Sequence, residues 1–166
     1  MAATFGPDDL RGSHASLVYP LLNSQVDDKG NPQPLFISAN VSIFDGMDTA
    51  WKVVQVGKRK IGITAVLGDE YTAEIKSVLT NEGEGVKVRP AKTALKEVTE
   101  NLKAEKCDVN ILISQTSLEE TRELAQLFPM FSIVVTAGGY GEPTYRPEII
   151  SGTKTQMIQV GTKGMY

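Results

Sequence analysis

Two residue types that build reactive centres are almost missing from this sequence. Among 166 residues there is one cysteine, Cys107, and one histidine, His14. A single cysteine excludes an internal disulfide and any cysteine-based zinc site. A single histidine excludes histidine-rich metal chemistry. Basic charge is also short: 17 Lys and Arg against 20 Asp and Glu leave a net charge of −3. No basic field therefore exists to gather nucleic acid or an anionic membrane surface. No uncharged apolar run approaches the roughly 20 residues of a membrane-crossing helix, so membrane insertion is not expected. Met1-Ala2-Ala3-Thr4-Phe5 has neither the basic start nor the apolar core of a secretory leader. Internal repeats, low-complexity tracts and long charge blocks are absent too.

What remains is the material of a globular domain. Apolar residues make up 41% of the chain, and the length suits one domain over residues 1–166. The first third is rich in loops. Gly6-Pro7-Asp8-Asp9 is turn chemistry, because proline fixes φ and aspartate bonds its own backbone. Leu17, Val18, Leu21 and Leu22 have helical spacing, with Pro20 limiting that helix to a short or kinked one. The run Leu35 to Val41 reads as a buried strand. Trp51 to Val56 and Lys60 to Leu67 read as two strands of a hairpin turning at Gly57-Lys58-Arg59. In the second, Gly62, Thr64 and Val66 share a face whose small residues invite close approach by a helix or backbone.

From residue 90 the pattern changes to α/β. Ala91, Ala94, Leu95, Val98 and Leu102 share a helical face behind Pro90. Asp108 to Ser114 reads as a strand. Ser117 and Glu120 form a capping box for a helix carrying Leu118, Leu124, Ala125 and Leu127. Phe131 to Thr136 is the next strand. This rhythm predicts right-handed crossovers and parallel neighbours, with strands 109–114 and 131–136 paired and the helix from Ser117 between them. Ile149-Ile150 and Thr155 to Val160 are expected to add antiparallel strands. Ligands of such sheets sit beyond the carboxyl ends of the strands. Here those ends are Leu67-Gly68-Asp69, Ser114-Gln115-Thr116 and Ala137 to Glu142.

These strand-end stretches resemble the calcineurin-like metallophosphoesterases, and within them the 5′-nucleotidase branch. The likeness is carried by Ile37-Ser38-Ala39-Asn40-Val41, Lys60 to Val66, Cys107 to Ser114, Ile133 to Gly139 and the tail Gly152 to Gly161, in matching order from about Gly6 to Tyr166. It covers only the later part of that family's catalytic domain. The opening strands, with an Asp-x-His pair and a metal-bridging Asp, have no counterpart, so the chain resembles a fragment or truncated relative. The resemblance implies a three-layer α/β fold with a mixed sheet and a parallel βαβ core, like half of a metallophosphoesterase sandwich. It also implies an exported or periplasmic parent protein.

The family's ligand positions are replaced. Where it has Gly-Asn-His-Glu or Gly-Asn-His-Asp, this chain has Gly6-Pro7-Asp8-Asp9. Ser-His becomes Ser114-Gln115, and Gly-Gly-His-x-His becomes Gly138-Gly139-Tyr140-Gly141-Glu142. The family's chemistry needs two cations that polarise phosphate and generate a hydroxide. Glutamine offers only a weak amide oxygen, tyrosine must ionise, and proline has no donor. Asp8 and Glu142 retain the chemistry for a hard cation such as Mg²⁺ or Ca²⁺.

The expectation is therefore a non-catalytic, degenerate phosphoesterase-like domain without cofactor or metal, retained as a scaffold. Its partners would be other domains of a parent chain or separate proteins. Its vestigial site would comprise Asp8, Asp69, Ser114, Gln115, Gly138, Gly139, Tyr140 and Glu142. One alternative is a metal-dependent nucleotide hydrolase whose remaining ligands lie in a missing segment. Another is a small-anion-binding module using Ser114 to Thr116 near a helix N-terminus and Gly138 to Gly141. Plainer roles exist for several of these features. Ser117 is explained by capping, the glycine loop by a flexible connection, and Glu82-Gly83-Glu84-Gly85 by a solvated loop. Cys107 fits inert packing, and His14 fits a polar turn or helix start.

Overall fold

The computed structural model describes residues 2–10, 24, 26, 29–31, 33–43, 49–73, 75, 86–137 and 143–160. The helix expected near Leu17–Leu22, His14, the loop at residues 82–85 and the stretch Gly138–Glu142 lie outside these residues. A 3₁₀ turn at Asp8–Leu10 precedes eight strands and two long helices. The strands are β1 (Val41–Ile43), β2 (Trp51–Val56), β3 (Arg59–Leu67), β4 (Val86–Val88), β5 (Val109–Gln115), β6 (Ile133–Thr136), β7 (Glu148–Ile149) and β8 (Gln156–Gln159). The helices are α1 (Ala91–Glu105) and α2 (Leu118–Leu127).

Six strands form one mixed sheet in the order β2-β3-β5-β6-β8-β7. The hairpin forms as the sequence implies: β2 and β3 pair antiparallel from Trp51↔Thr64 to Val56↔Arg59, leaving a two-residue turn. β5 lies parallel to β3 and β6 parallel to β5, with Ile111 opposite Ile133. α1 and α2 carry the crossovers, and their buried faces pack with Val66, Leu112, Val134 and Met157 from one side of the sheet. The small residues on that side of β3 serve the close approach expected of them. A Cβ at Gly62 would lie 2.6 Å from Asn110 Oδ1 and 2.9 Å from Leu102 Cδ2 on α1.

The strand at the end of the chain differs from its expected direction. β8 is antiparallel to β7 but parallel to β6, with Ile133 opposite Gln156. The reason is the route of the chain. The Thr155 hydroxyl donates to the Phe131 carbonyl at 2.7 Å and the Gln156 N–H to Ser132 O at 3.0 Å. The chain thus re-enters the sheet beside the start of β6 and runs with it. The expected partner strand also shifts by one residue, to Glu148–Ile149, leaving Ile150 buried below it.

The run from Leu35 to Val41 is buried from Ile37 onward but is not one strand. Only Val41–Ile43 forms a ladder, antiparallel to β4, while Phe36 makes a single bridge to Ala3. Between them the backbone bonds to three different neighbours, Ile37 N–H to Ala3 O, Ser38 N–H to Thr49 O and Ala39 N–H to Ala65 O, and side chains supply the rest. The Ser38 hydroxyl accepts the Val41 N–H at 3.0 Å. Asn40 accepts the Leu67 N–H at 2.9 Å and donates to the Leu67 carbonyl at 2.7 Å and to the Arg89 carbonyl at 3.1 Å. Such side-chain-to-backbone bonds compete directly with strand pairing. The small β1–β4 sheet lies on the side of β3 away from the helices, where Val41 and Ile43 cluster with Phe5, Leu10, Leu67 and Ile75.

Candidate functional site

Three parallel strands, β3, β5 and β6, deliver their carboxyl ends to one edge of the sheet. Gly68 continues from β3, and its N–H donates to the Gln115 carbonyl at 2.9 Å, tying two of the strand-end loops together. The approach is close enough that a Cβ at Gly68 would meet Glu120 Oε2 at 2.7 Å and Thr116 Cα at 3.1 Å. A side chain there would displace the Glu120 carboxylate and crowd Thr116.

Asp69 is exposed, yet its carboxylate has a structural task. Oδ1 accepts the Ala91 N–H at 2.9 Å. Ala91 opens α1, and Pro90 before it offers no side-chain cap. Asp69 therefore caps a helix that starts 22 residues later, where its negative charge also suits the positive end of the helix dipole. The Asp69 N–H in turn donates to Glu120 Oε1 at 3.1 Å. Glu120 was expected to close a capping box on Ser117. Half of that box forms, since Ser117 Oγ accepts the Glu120 N–H at 3.2 Å. The Glu120 carboxylate turns instead to the start of the helical stretch 69–73 that follows β3. Burial, with added repulsion from Asp69 and Glu70, raises its pKa against the lowering effects of the Asp69 N–H and Lys92.

Ser114 points into the helix side of the sheet and is 1% exposed. Its hydroxyl lies 2.9 Å from Thr116 Oγ1 and 3.1 Å from Thr121 Oγ1. Thr116 and Thr121 are 2.8 Å apart, and Thr121 donates to Thr136 Oγ1 at 3.2 Å. All four residues are buried, so this hydroxyl chain joins β5, α2 and β6 internally. Gln115 is half-buried on the opposite face of β5. Thr121 and Thr136 are not singled out by the sequence, and Glu120 is read there only as half of a capping box. The available signal was weak: polar residues at inward-facing positions of otherwise apolar elements.

The Gly6-Pro7-Asp8-Asp9 turn reaches the same end of β3, because Phe5 and Leu10 share a cluster with Leu67. Asp9 closes that turn by accepting the Gly6 N–H at 2.8 Å, and Asp8 is exposed on it. The structure thus brings the Asp8 turn, Asp69, Ser114 and Gln115 to one edge of the molecule. Gly138, Gly139, Tyr140 and Glu142 come after β6 in the sequence and lie outside the described residues.

Among the described residues, no group of three or more His, Cys, Asp or Glu is arranged to hold a metal ion. The donor chemistry agrees with that geometry. One Asp69 oxygen holds a helix N–H, the Asp9 carboxylate holds a turn, and the Ser114 hydroxyl is enclosed. These residues do not fit a two-cation phosphoesterase centre, which needs several ligands converging on open positions.

No family model matches the sequence, and no curated protein matches it. Solved structures do. The 5′-nucleotidase precursor from Thermus thermophilus superposes with a TM-score of 0.67 at 17% identity, over 98% of this chain and 33% of that one. A 5′-nucleotidase from Candida albicans gives 0.59 at 15% identity, over 96% and 30%. A calcineurin-like phosphoesterase from Bacillus subtilis gives 0.61 at 17% identity, over 82% and 48%. The chain spans about a third to a half of these three structures. Its six-stranded mixed sheet with parallel crossovers is therefore the fold of part of the metallophosphoesterase domain found in 5′-nucleotidases and calcineurin-like phosphoesterases.

Proposed function

We propose that this chain is a non-catalytic, phosphoesterase-like module that serves as a scaffold or interaction unit in a larger protein. The observation that carries the reading is the employment of the strand-end side chains. Asp69 caps α1, and Ser114 belongs to a closed chain of buried hydroxyls. Both positions hold the fold together at the edge where a hydrolase would present its ligands. Hydrolysing a phosphate ester needs a nucleophile, neutralisation of the phosphoryl oxygens and support for the leaving group. Added carboxylates such as Asp8 and Glu142 repel a phosphate dianion unless a cation intervenes. The residues that match the family's histidines are Asp8, Gln115, Tyr140 and Glu142, none of which protonates a leaving group as imidazole does.

The test is an assay of the full chain with nucleotides and p-nitrophenyl phosphate, with and without Mn²⁺, beside Glu142→Ala. No turnover in either protein is expected. Metal-dependent turnover in the parent that disappears in Glu142→Ala would establish an unconventional site and favour the rival reading, a hydrolase.

A further inference from the structure

β2 ends one side of the six-stranded sheet, with β3 as its neighbour. The direction of its outer backbone groups follows from the bonds of β3. The Lys60 N–H donates to Asp108 Oδ2 at 2.7 Å, and the Lys60 carbonyl accepts the Asp108 N–H at 2.8 Å. Both polar groups of Lys60 therefore face β5. Lys60 sits opposite Gln55, so these two exchange no bonds and Gln55 turns its own N–H and C=O outward. Val53 and Trp51, opposite Gly62 and Thr64, do the same. Among the described residues, nothing bonds these outward backbone groups. Sheet edges are ordinarily blunted by brevity, proline, a bulge or charge. β2 runs for six residues without proline and pairs without interruption from Trp51↔Thr64 to Val56↔Arg59. Its one charged side chain, Lys52, is drawn off to the Pro34 carbonyl at 3.0 Å. The opposite edge is blunt, because β7 has two residues and Pro147 stands directly before it.

We infer that β2 pairs edge to edge and antiparallel with β2 of a second copy, about a two-fold axis through Val53. The phase of the outward groups sets this register. Val53 faces Val53 of the partner subunit, and Trp51 and Gln55 face each other on either side of the axis. These are the hydrogen-bonded pairs, and together they make about six N–H···O bonds. Lys52 then faces Val54, and no like charges lie directly opposite. The neighbouring registers are poorer: one sets Lys52 against Lys52, and the other carries Trp51 past the end of the partner strand. A strand that matches itself this way favours a second copy over an unrelated polypeptide. The blunt β7 edge offers no second template, so assembly closes at two copies. Because the contact lies on the rim of the sheet, a layer packed about 10 Å above its open face leaves it accessible. The inference holds whether or not the strand-end loops hydrolyse phosphate.

Sedimentation velocity on the full chain from about 5 to about 500 μM tests it. The expected result is a monomer–dimer equilibrium that Val53→Pro weakens about tenfold or more. That substitution removes an outward N–H and leaves the β2–β3 ladder bonds in place. Circular dichroism should report an unchanged fold; if it does not, Gln55→Pro at an exposed position replaces it. Amide hydrogen exchange reads the register. The Trp51, Val53 and Gln55 amides should slow about tenfold or more as concentration rises, whereas Lys52 and Val54, already in the ladder, should not change. Under oxidation, Val53→Cys in a Cys107→Ser background should give a disulfide-linked dimer, since the paired Cα atoms lie about 5.5 Å apart. Val56→Cys, about 20 Å from its copy, should not. A monomer at every concentration, an open-ended assembly, or a dimer indifferent to Val53→Pro would overturn the inference. So would protection confined to amides outside β2.

Discussion

Asn40 satisfies three backbone groups with one side chain: both polar groups of Leu67 and the Arg89 carbonyl. It is 2% exposed, so water cannot replace it. Asn40→Ala should cost on the order of 3 kcal/mol, because each orphaned buried group costs about 1 kcal/mol or more. Asn40→Asp should be no better, since it sets an acceptor against two carbonyls. Chemical denaturation checks both, and a loss below about 1 kcal/mol would mean that these groups find other partners. Glu120 gives a prediction in pH. Its folded pKa is raised, chiefly by burial, so the folded state binds its proton more tightly than the unfolded state does. Its contribution is fully present below the unfolded pKa and is lost as pH rises through the folded one. Glu120→Gln keeps an acceptor for the Asp69 N–H without the charge. The variant should melt at or above the wild-type temperature at pH 7, with the difference shrinking toward pH 4. A difference that stays constant with pH would refute this.

Close contact between α1 and β3 rests on Gly62. Gly62→Ala drives a Cβ against Asn110 Oδ1 and Leu102, and overpacking of this kind costs about 1–3 kcal/mol. Asn110 Oδ1 is buried with no hydrogen-bond partner, so the cost should fall when Asn110→Ala is combined with it. A double-mutant cycle by denaturation reads that coupling, and strict additivity would exclude the proposed clash. The elements themselves were largely legible from sequence. Apolar runs at 109–114 and 131–136 and the alternation along β3 are strong local signals, and a parallel βαβ core follows from them. Three features were not legible, each for a non-local reason. Asn40 interrupts its strand for the sake of Leu67, 27 residues on. β8 takes its direction from the place where it meets Phe131. The Glu120 carboxylate leaves the capping box for a helical start that precedes it by 51 residues. Of the candidate site, the shared edge of the sheet was readable, whereas the structural employment of Asp69 and Ser114 was not. A carboxylate or hydroxyl looks the same in sequence whether it caps a helix or awaits a ligand.

The whole molecule is held by apolar packing on both sides of β3, with ion pairs as minor additions. Arg122 grips Glu148 through two bonds of 2.9 Å, yet both side chains are more than a third exposed, so the pair contributes about 1 kcal/mol at most. Dialysis against EDTA should leave the melting temperature unchanged within about 1 °C, because a structural ion bound to the native state would stabilise it by mass action. A drop of several degrees, restored by one added cation, would contradict the metal-free reading. The bond from Asp69 to Ala91 bears on how the chain folds. Because α1 borrows its first cap from the end of β3, the start of this helix is not encoded within the helix. An excised peptide of residues 88–106 would begin with an unsatisfied N–H and a proline, and nucleating a helix is already costly. During folding, the first turn of α1 gains its cap only once β3 has placed Asp69 beside it. Strand and helix thus become ordered in one cooperative step, and a chain stalled before that step would show β3 and the start of α1 exchanging amide hydrogens together.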